Sequence, residues 1–314
     1  MSGKRWVALA TAAVLFLGMV FLAARLGGGI PRSAGVWNER FVQGEGPDKI
    51  AVVSVEGEIV QTGDLTSAAV ADDLVSQLRQ AREDDAVKAV ILRINSPGGS
   101  VVASDQIYHE VLEVQRAGKP VVASMGEVAA SGGYYIAAGA RRIVANPSTF
   151  TGSIGVILVL LNLEGAAGNL GVEPIIIKAG RLKDIGSPFR DLTEEERQIF
   201  QGMIDQSYDQ FVDVVAEGRH MSAAEVEQVA TGRPFTGEQA QDLGLVDRLG
   251  TFDVAVGTAR RLAGLERATV VEYEPQVSLE DLVGGGFPGL RSPVEELERQ
   301  VGVTGPVLKY LYVT

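Results

Sequence analysis

VKAVILRINSPGGS, Val87 to Ser100, decides the fold. Val90, Ile91, Leu92 and Ile94 crowd its first part, which reads as a buried strand. Asn95 to Ser100 then forms a Gly-rich turn, and Val101 to Ala117 reads as a helix. Strand, tight turn and helix in that order form one βα unit. The same alternation extends in both directions. Upstream, Ile50 to Ile59 is β-branched and strand-like, and Leu65 to Asp84 carries Ala69, Leu74, Val75 and Leu78 at helical spacing. Downstream, Pro120 to Ser124 reads as a strand and Gly132 to Ala138 as a helix. Arg142 to Ala145 and Val172 to Ile177 read as further strands. The expected fold class is α/β, a mostly parallel sheet covered by helices.

The second half is more helical. Thr193 to Glu196 and Ser222 to Glu225 are capping boxes, each opening a helix. The first helix puts Phe200, Ile204, Tyr208, Phe211 and Val215 on one face. Val270 to Tyr273 has strand character, and Gly284 to Gly286 with Pro288 reads as a flexible tail segment.

Composition narrows the chemistry. The 314 residues include no Cys and 2 His. A thiol nucleophile, a disulfide framework and a cysteine-ligated metal are excluded, and a histidine-rich metal site is disfavoured. Neither metal nor cofactor is expected. The net charge of −12 argues against a nucleic-acid partner. The charge is uneven: Lys4, Arg5, Arg25 and Arg32 give the first 32 residues +4, leaving −16 on the rest.

Trp6 to Ala24 is an uncharged run of 19 residues, enough helix to cross a hydrocarbon core of ~30 Å. Lys4 and Arg5 ahead of it hold the N-terminus on the cytoplasmic side and send the body across. The run is long for a cleaved signal, and its end lacks a clean A-x-A site, so an anchor is the preferred reading. The expected organisation is a cytoplasmic stub (1–5), an anchor (6–26) and a linker (27–48), then a main α/β domain (49–263) and an extension (264–314).

Two Gly-rich turns carry candidate chemistry. In Asn95 to Ser100, Gly98 and Gly99 allow close backbone approach, and amides beside a helix N-terminus suit a developing oxyanion. An ordinary βα turn is the competing reading. In AASGGYY, Ala129 to Tyr135, Ser131 stands at a strand-to-helix junction before two Gly. A nucleophile there is exposed, and the next amide faces the tetrahedral oxygen. A helix N-cap is an equal alternative on those residues alone. His109 and His220 fall in surface-like helical contexts, so the base search turns to lysine, which needs burial to act as a neutral amine. Lys183, in the Gly-framed loop AGRLKDIGSP (Ala179 to Pro188), and Lys178 at the preceding strand end are both candidates. Thr151 and Ser153 could hold an amine by hydrogen bonds, or simply form a polar turn.

Taken together, five ordered stretches resemble the signal peptide peptidase A family in its short form. They are NSPGG (Asn95 to Gly99), ASGGYY (Ala130 to Tyr135), TGSIG (Thr151 to Gly155), GRLKDIGSP (Gly180 to Pro188), and GRPFTG (Gly232 to Gly237) with LGLVD (Leu243 to Asp247). The likeness covers about residues 50 to 260. It implies a ClpP/crotonase-like fold of stacked β-turns covered by helices, preceded by one transmembrane helix. It also implies a membrane-anchored serine endopeptidase that cuts remnant signal peptides. Carried over by motif, Ser131 is the nucleophile, Lys183 the general base and Ser153 the group that orients it. Gly98 and Gly132 supply the oxyanion hole. A homo-oligomer is implied; whether the dyad is completed within one protomer or between two stays open. The competing classes are another extracytoplasmic Ser–Lys protease, a crotonase-like acyl-CoA enzyme and an inactive scaffold.

Overall fold

The computed structural model describes residues 37–61, 68–275 and 309–311. The described residues from Asn38 to Glu274 and Lys309–Leu311 belong to one compact unit. Its backbone is a sheet of β1 (Asn38–Gly44), β12 (Thr269–Glu274), β2 (Lys49–Glu56), β5 (Val87–Ser96), β7 (Val121–Ala130), β8 (Arg142–Ala145) and β11 (Arg248–Leu249), in that spatial order. Strand β9 (Phe150–Gly152) joins the end of β7, and β10 (Pro234–Thr236) pairs with β9. All these pairings are parallel except β1–β12 and β9–β10.

Strands β2 and β5 are buried at most positions, with runs of four consecutive buried residues, as a parallel sheet covered on both faces requires. Alternate residues serve opposite faces. Ile50, Val52, Ala89, Ile91 and Val122 meet Ala255 and Ala259 of helix α8 (Phe252–Leu262). Other buried side chains come from α1 (Ala71–Glu83), with Leu74 and Leu78, and from α2 (Val101–Arg116), with Ile107 and Val111. Each large aliphatic side chain so buried contributes ~1.5–3 kcal/mol.

A second, smaller sheet holds β3 (Glu58–Val60), β4 (Ala68–Val70), β6 (Gly98–Ser100) and β13 (Lys309–Leu311). It stands over the turn that ends β5. The remaining helices are α3 (Gly132–Ala138), α4 (Glu164–Asn169), α5 (Glu194–Arg219), α6 (Ala223–Val229) and α7 (Gly237–Asp242). Both expected capping boxes form, at Thr193 and Ser222, and a third forms at Thr236.

Three expectations are corrected. Residues 172–177 enter no ladder among the described residues. Their apolar side chains have no sheet to join, and Ile175 and Ile177 stand 87% and 95% exposed. Part of the stretch read as a linker is strand β1, because its edge bonds to β12. In turn, β12 lies beyond the expected end of the main α/β domain at 263, yet pairs with β2 inside the main sheet. The anchor at 6–26 and the Gly284 to Gly286 segment lie outside the described residues, among which no helix is long and apolar enough to cross a membrane.

Helix α5 contains a matched pair of glycines. A Cβ on Gly202 would meet nothing within 4 Å, whereas one on Gly218 would stand 2.0 Å from the Ala138 carbonyl oxygen at the end of α3. Gly202→Ala is expected to stabilise by up to ~1 kcal/mol through helix propensity. At Gly218 the clash, costing ~1–3 kcal/mol, outweighs that gain and Ala destabilises. Chemical denaturation of both variants checks the opposite signs.

Candidate active site

Parallel pairing brings the two Gly-rich turns together. Ser96, at the end of β5, is in register with Ala129 of β7. The turns that follow, through Gly98 and through Ser131, therefore emerge side by side. Their backbones touch: a Cβ on Gly98 would stand 2.6 Å from the Gly132 nitrogen and 2.1 Å from the Tyr310 carbonyl oxygen. With φ at +100°, Gly98 also occupies a conformation that other residues rarely adopt.

Ser131 is 1% exposed and joins β7 to α3. Its φ of 53° and ψ of −117° are strained for a residue with a side chain. Two backbone bonds hold it there: its N–H donates to the Gly152 carbonyl at 2.8 Å, and its carbonyl accepts from Tyr135 N–H at 2.8 Å. Its hydroxyl caps nothing, and Oγ is buried without a hydrogen-bond partner. Ser131 thus stands at the N-cap position of α3 by its backbone, while its side chain makes no capping bond. The Gly132 amide, in the first turn of α3, has no intrahelical acceptor. It lies beside an orphaned hydroxyl, as an oxyanion donor beside a nucleophile would.

Ser153 belongs to the same corner. Ala130 pairs with Gly152 on the last rung between β7 and β9, and Ser131 and Ser153 follow that rung directly. Ser153 has φ of 50°, is buried, and donates its N–H to the Arg233 carbonyl at 3.0 Å. The structure thus gathers Ser131, Ser153, Gly132 and Gly98.

The Gly98 amide is engaged at rest. It donates to Ser96 Oγ at 3.1 Å, and that hydroxyl donates to the Gly57 carbonyl at 2.6 Å. Nothing in the sequence marks Ser96 for this role. Strand β13 also escaped sequence reading. It lies antiparallel on β6, opposite Gly98 and Gly99. Its Tyr310 ring stacks on Tyr135 at 5.0 Å and meets Phe211 at 4.7 Å, while its hydroxyl donates to the Ser207 carbonyl at 2.8 Å.

Lys183 is not part of this corner within one chain. It occupies an exposed turn, with its N–H donating to the Gly180 carbonyl at 3.1 Å. Lys178 is committed to an ion pair with Asp184 and donates to the Arg181 carbonyl at 3.1 Å. His109 is an exposed residue of α2, and His220 is the left-handed C-cap of α5. Burial pushes the Lys119 amine below its ordinary value. Its Nζ donates to the carbonyls of Ala81 and Asp84 at the end of α1, a structural cap. Among the described residues no acidic or histidine cluster could hold a metal.

A parallel sheet covered by helices, with a strained, orphaned serine beside helix-terminal and glycine amides, defines a serine peptidase of ClpP-like architecture. Comparisons with known proteins agree. The Clp protease family profile matches residues 44–150, and that of Peptidase family S49 matches residues 113–266. A putative signal peptide peptidase SppA of Enterococcus faecium is 36% identical over 87% of this chain and 85% of its own. Protease 4 of Haemophilus influenzae is 36% identical over 85% of this chain but 47% of its own length. The chloroplastic serine protease SPPA of Arabidopsis thaliana is 37% identical over 76% of this chain and 37% of its own. The chain therefore spans most of the first relative and less than half of the other two. It belongs to peptidase family S49, the signal peptide peptidase A family, and is a serine peptidase.

The strain at Ser131 has a measurable consequence. Ser131→Gly relieves a conformation costing ~1–3 kcal/mol and removes an unpaired buried hydroxyl, against ~0.5–1 kcal/mol of added chain entropy. The variant is expected to be inactive yet more stable than the parent by about 1 kcal/mol. Denaturant titration beside Ser131→Ala, which keeps the strained φ, separates the two contributions.

Proposed function

We propose that this chain is a membrane-anchored endopeptidase that uses Ser131 as nucleophile and Lys183 as general base to cut remnant signal peptides outside the cytoplasm. The observation that carries the reading is the Ser131 hydroxyl, buried without a partner on a strained turn beside the Gly132 amide. The uncharged run from Trp6 to Ala24, behind Lys4 and Arg5, supports a single-pass anchor with the N-terminus inside. The substrate assignment rests on the family resemblance and on the SppA name of the Enterococcus relative.

The chemistry balances without a further reactant beyond water. Ser131 Oγ attacks the peptide carbonyl carbon, and its proton passes to Lys183 Nζ. The carbonyl π pair moves onto the oxygen, which the amides of Gly132 and Gly98 stabilise. For Gly98 this means exchanging or sharing its bond to Ser96. Collapse breaks the C–N bond, and the Lys183 ammonium returns the proton to the leaving amine. Water then repeats the sequence on the ester and restores Ser131. Ser153 accepts a hydrogen bond from the ammonium and orients it.

Lys183 reaches Ser131 from a partner subunit in this proposal. The segment around it supports assembly: Leu170, Ile175 and Ile177 are 80%, 87% and 95% exposed, too much apolar surface in one segment for an unpartnered chain. A second copy of this chain is the occupant proposed for that face.

Ser131→Ala and Lys183→Ala are each expected to abolish cleavage of an apolar signal-sequence peptide while the protein still folds. Mixing the two inactive variants should restore activity, because a mixed assembly contains sites with both groups intact. Activity should rise with pH as the base loses its proton, and a flat profile from about pH 6 to 9 would exclude a lysine base. Full activity in Lys183→Ala would remove the dyad.

A further inference from the structure

The stretch that leads into the turn carrying Lys183 is open to solvent, with residues 171–181 all exposed, while Leu182 and Ile185 of the turn itself are half-buried. One guanidinium gathers it. Arg190 Nε donates to Asp184 Oδ2 at 3.1 Å, and Nη2 donates to the Asp184 carbonyl at 3.1 Å. On its other side Arg190 takes Glu196 in a fork, with Nη1 to Oε2 at 2.8 Å and Nη2 to Oε1 at 2.5 Å. Nη1 also donates to the Asp191 carbonyl at 3.0 Å. All three guanidinium nitrogens are used, a geometry lysine lacks.

The far end of this clamp is rigid. The Glu196 side chain is 2% exposed and accepts the Thr193 N–H at 3.0 Å, closing the capping box of α5. The near end is the residue after Lys183. Asp184 is pulled by Arg190 on one oxygen and by Lys178 on the other, and its carbonyl also accepts the Ser187 N–H at 3.0 Å. Two more turn bonds, Lys183 N–H to Gly180 and Ile185 N–H to Leu182, leave the backbone of Lys183 little freedom once Asp184 is fixed. A carboxylate pair this well enclosed and forked differs from an exposed surface ion pair, which contributes little.

We propose that Arg190 is a positioning residue for the general base: it fastens the turn bearing Lys183 to the N-terminus of helix α5 through Asp184 and Glu196. The inference rests on the Ser131–Lys183 reading above. Arg190 also holds both carboxyls below the usual carboxylate range, so the clamp stays ionised wherever a lysine base works. The charged groups of the clamp and its surroundings are Lys178, Arg190, Asp184 and Glu196, with Arg181 paired to Glu195 and Asp191 beside the fork. Removing Arg190 takes a positive charge from the turn and leaves Asp184 and Glu196 without the cation they share.

Arg190→Ala is expected to lower kcat by about 100-fold, as a displacement near 1 Å does in such sites, with KM changed little. The rise of activity with pH should move to higher pH. Arg190→Lys, which keeps the charge but not the fork, should fall between Ala and the parent. Guanidinium chloride at sub-denaturing concentration should restore part of the activity of Arg190→Ala and none to Lys183→Ala. Thermal unfolding and oligomeric state are measured on the same samples. Parent-like kcat and pH profile in both Arg190 variants would overturn the inference, as would a loss confined to KM or one matching the unfolded fraction. If Arg190→Ala does not fold, Arg190→Lys alone decides through kcat and the pH profile. Lys183→Ala run alongside separates the two levels: full activity there overturns the dyad itself, whereas an inactive Lys183→Ala with unaffected Arg190 variants overturns only the clamp.

Discussion

Parallel pairing of β5, β7 and β9 is the constraint on which the site depends. In a parallel sheet every strand delivers its C-terminal end to the same edge, where ligands meet the chain. The Ser96–Ala129 and Ala130–Gly152 rungs bring three turns to that edge, those of Gly98, Ser131 and Ser153. A register slip of one residue would send the side chains after the slip to the opposite face. The hydrophobic core thus fixes the site indirectly. Ile50, Val52, Ala89, Ile91 and Val122 are sealed against α8, and this holds the rungs from which the glycine turns depart.

The corner also concentrates what the rest of the fold avoids. Among the described non-glycine residues, positive φ occurs at Ser131, Ser153 and His220. Two of these three sit on neighbouring strands just past one rung. His220 has an ordinary explanation as a helix C-cap, which commonly adopts that conformation. Ser131 has none of that kind, since its hydroxyl caps nothing and is buried unpaired. Strain and an unsatisfied donor at the same residue are tolerated only where surrounding bonds over-determine the backbone, and here Gly152 and Tyr135 supply them.

Features encoded locally were legible in the sequence. The glycine turns, the βα alternation and the capping boxes at Thr193 and Ser222 each depend on residues a few positions apart, so their spacing reveals them. Features set by distant partners were not. Strand β1 exists because β12 lies beside it, across more than two hundred residues of chain. Residues 172–177 have the β-branched composition of a strand but pair with no strand among the described residues. Ser96 looks like any turn serine until Gly57 is seen to accept its proton. Arg190 resembles a surface arginine until Glu196 is found buried against it.

The lysines show why chemistry could not be assigned from burial alone. A base that works as a neutral amine invites a search for the amine that burial disfavours charging, and that search finds Lys119. Yet Lys119 gives two of its three N–H groups to the last carbonyls of α1, and so has a structural duty as a cap. Lys183 presents the opposite case, an exposed side chain on a turn whose backbone is held by its own hydrogen bonds and by the ion pairs of the next residue. An exposed lysine gains the dry surroundings a base needs only when something covers it. The apolar segment just before it, uncovered in the single chain, supplies the reason a second copy would do so. On the reading proposed above, assembly performs for Lys183 what folding performs for Ser131: it removes water and fixes geometry. A polar clamp suits that division, because it sets the backbone of the turn in advance and leaves the ammonium free for the partner's serine.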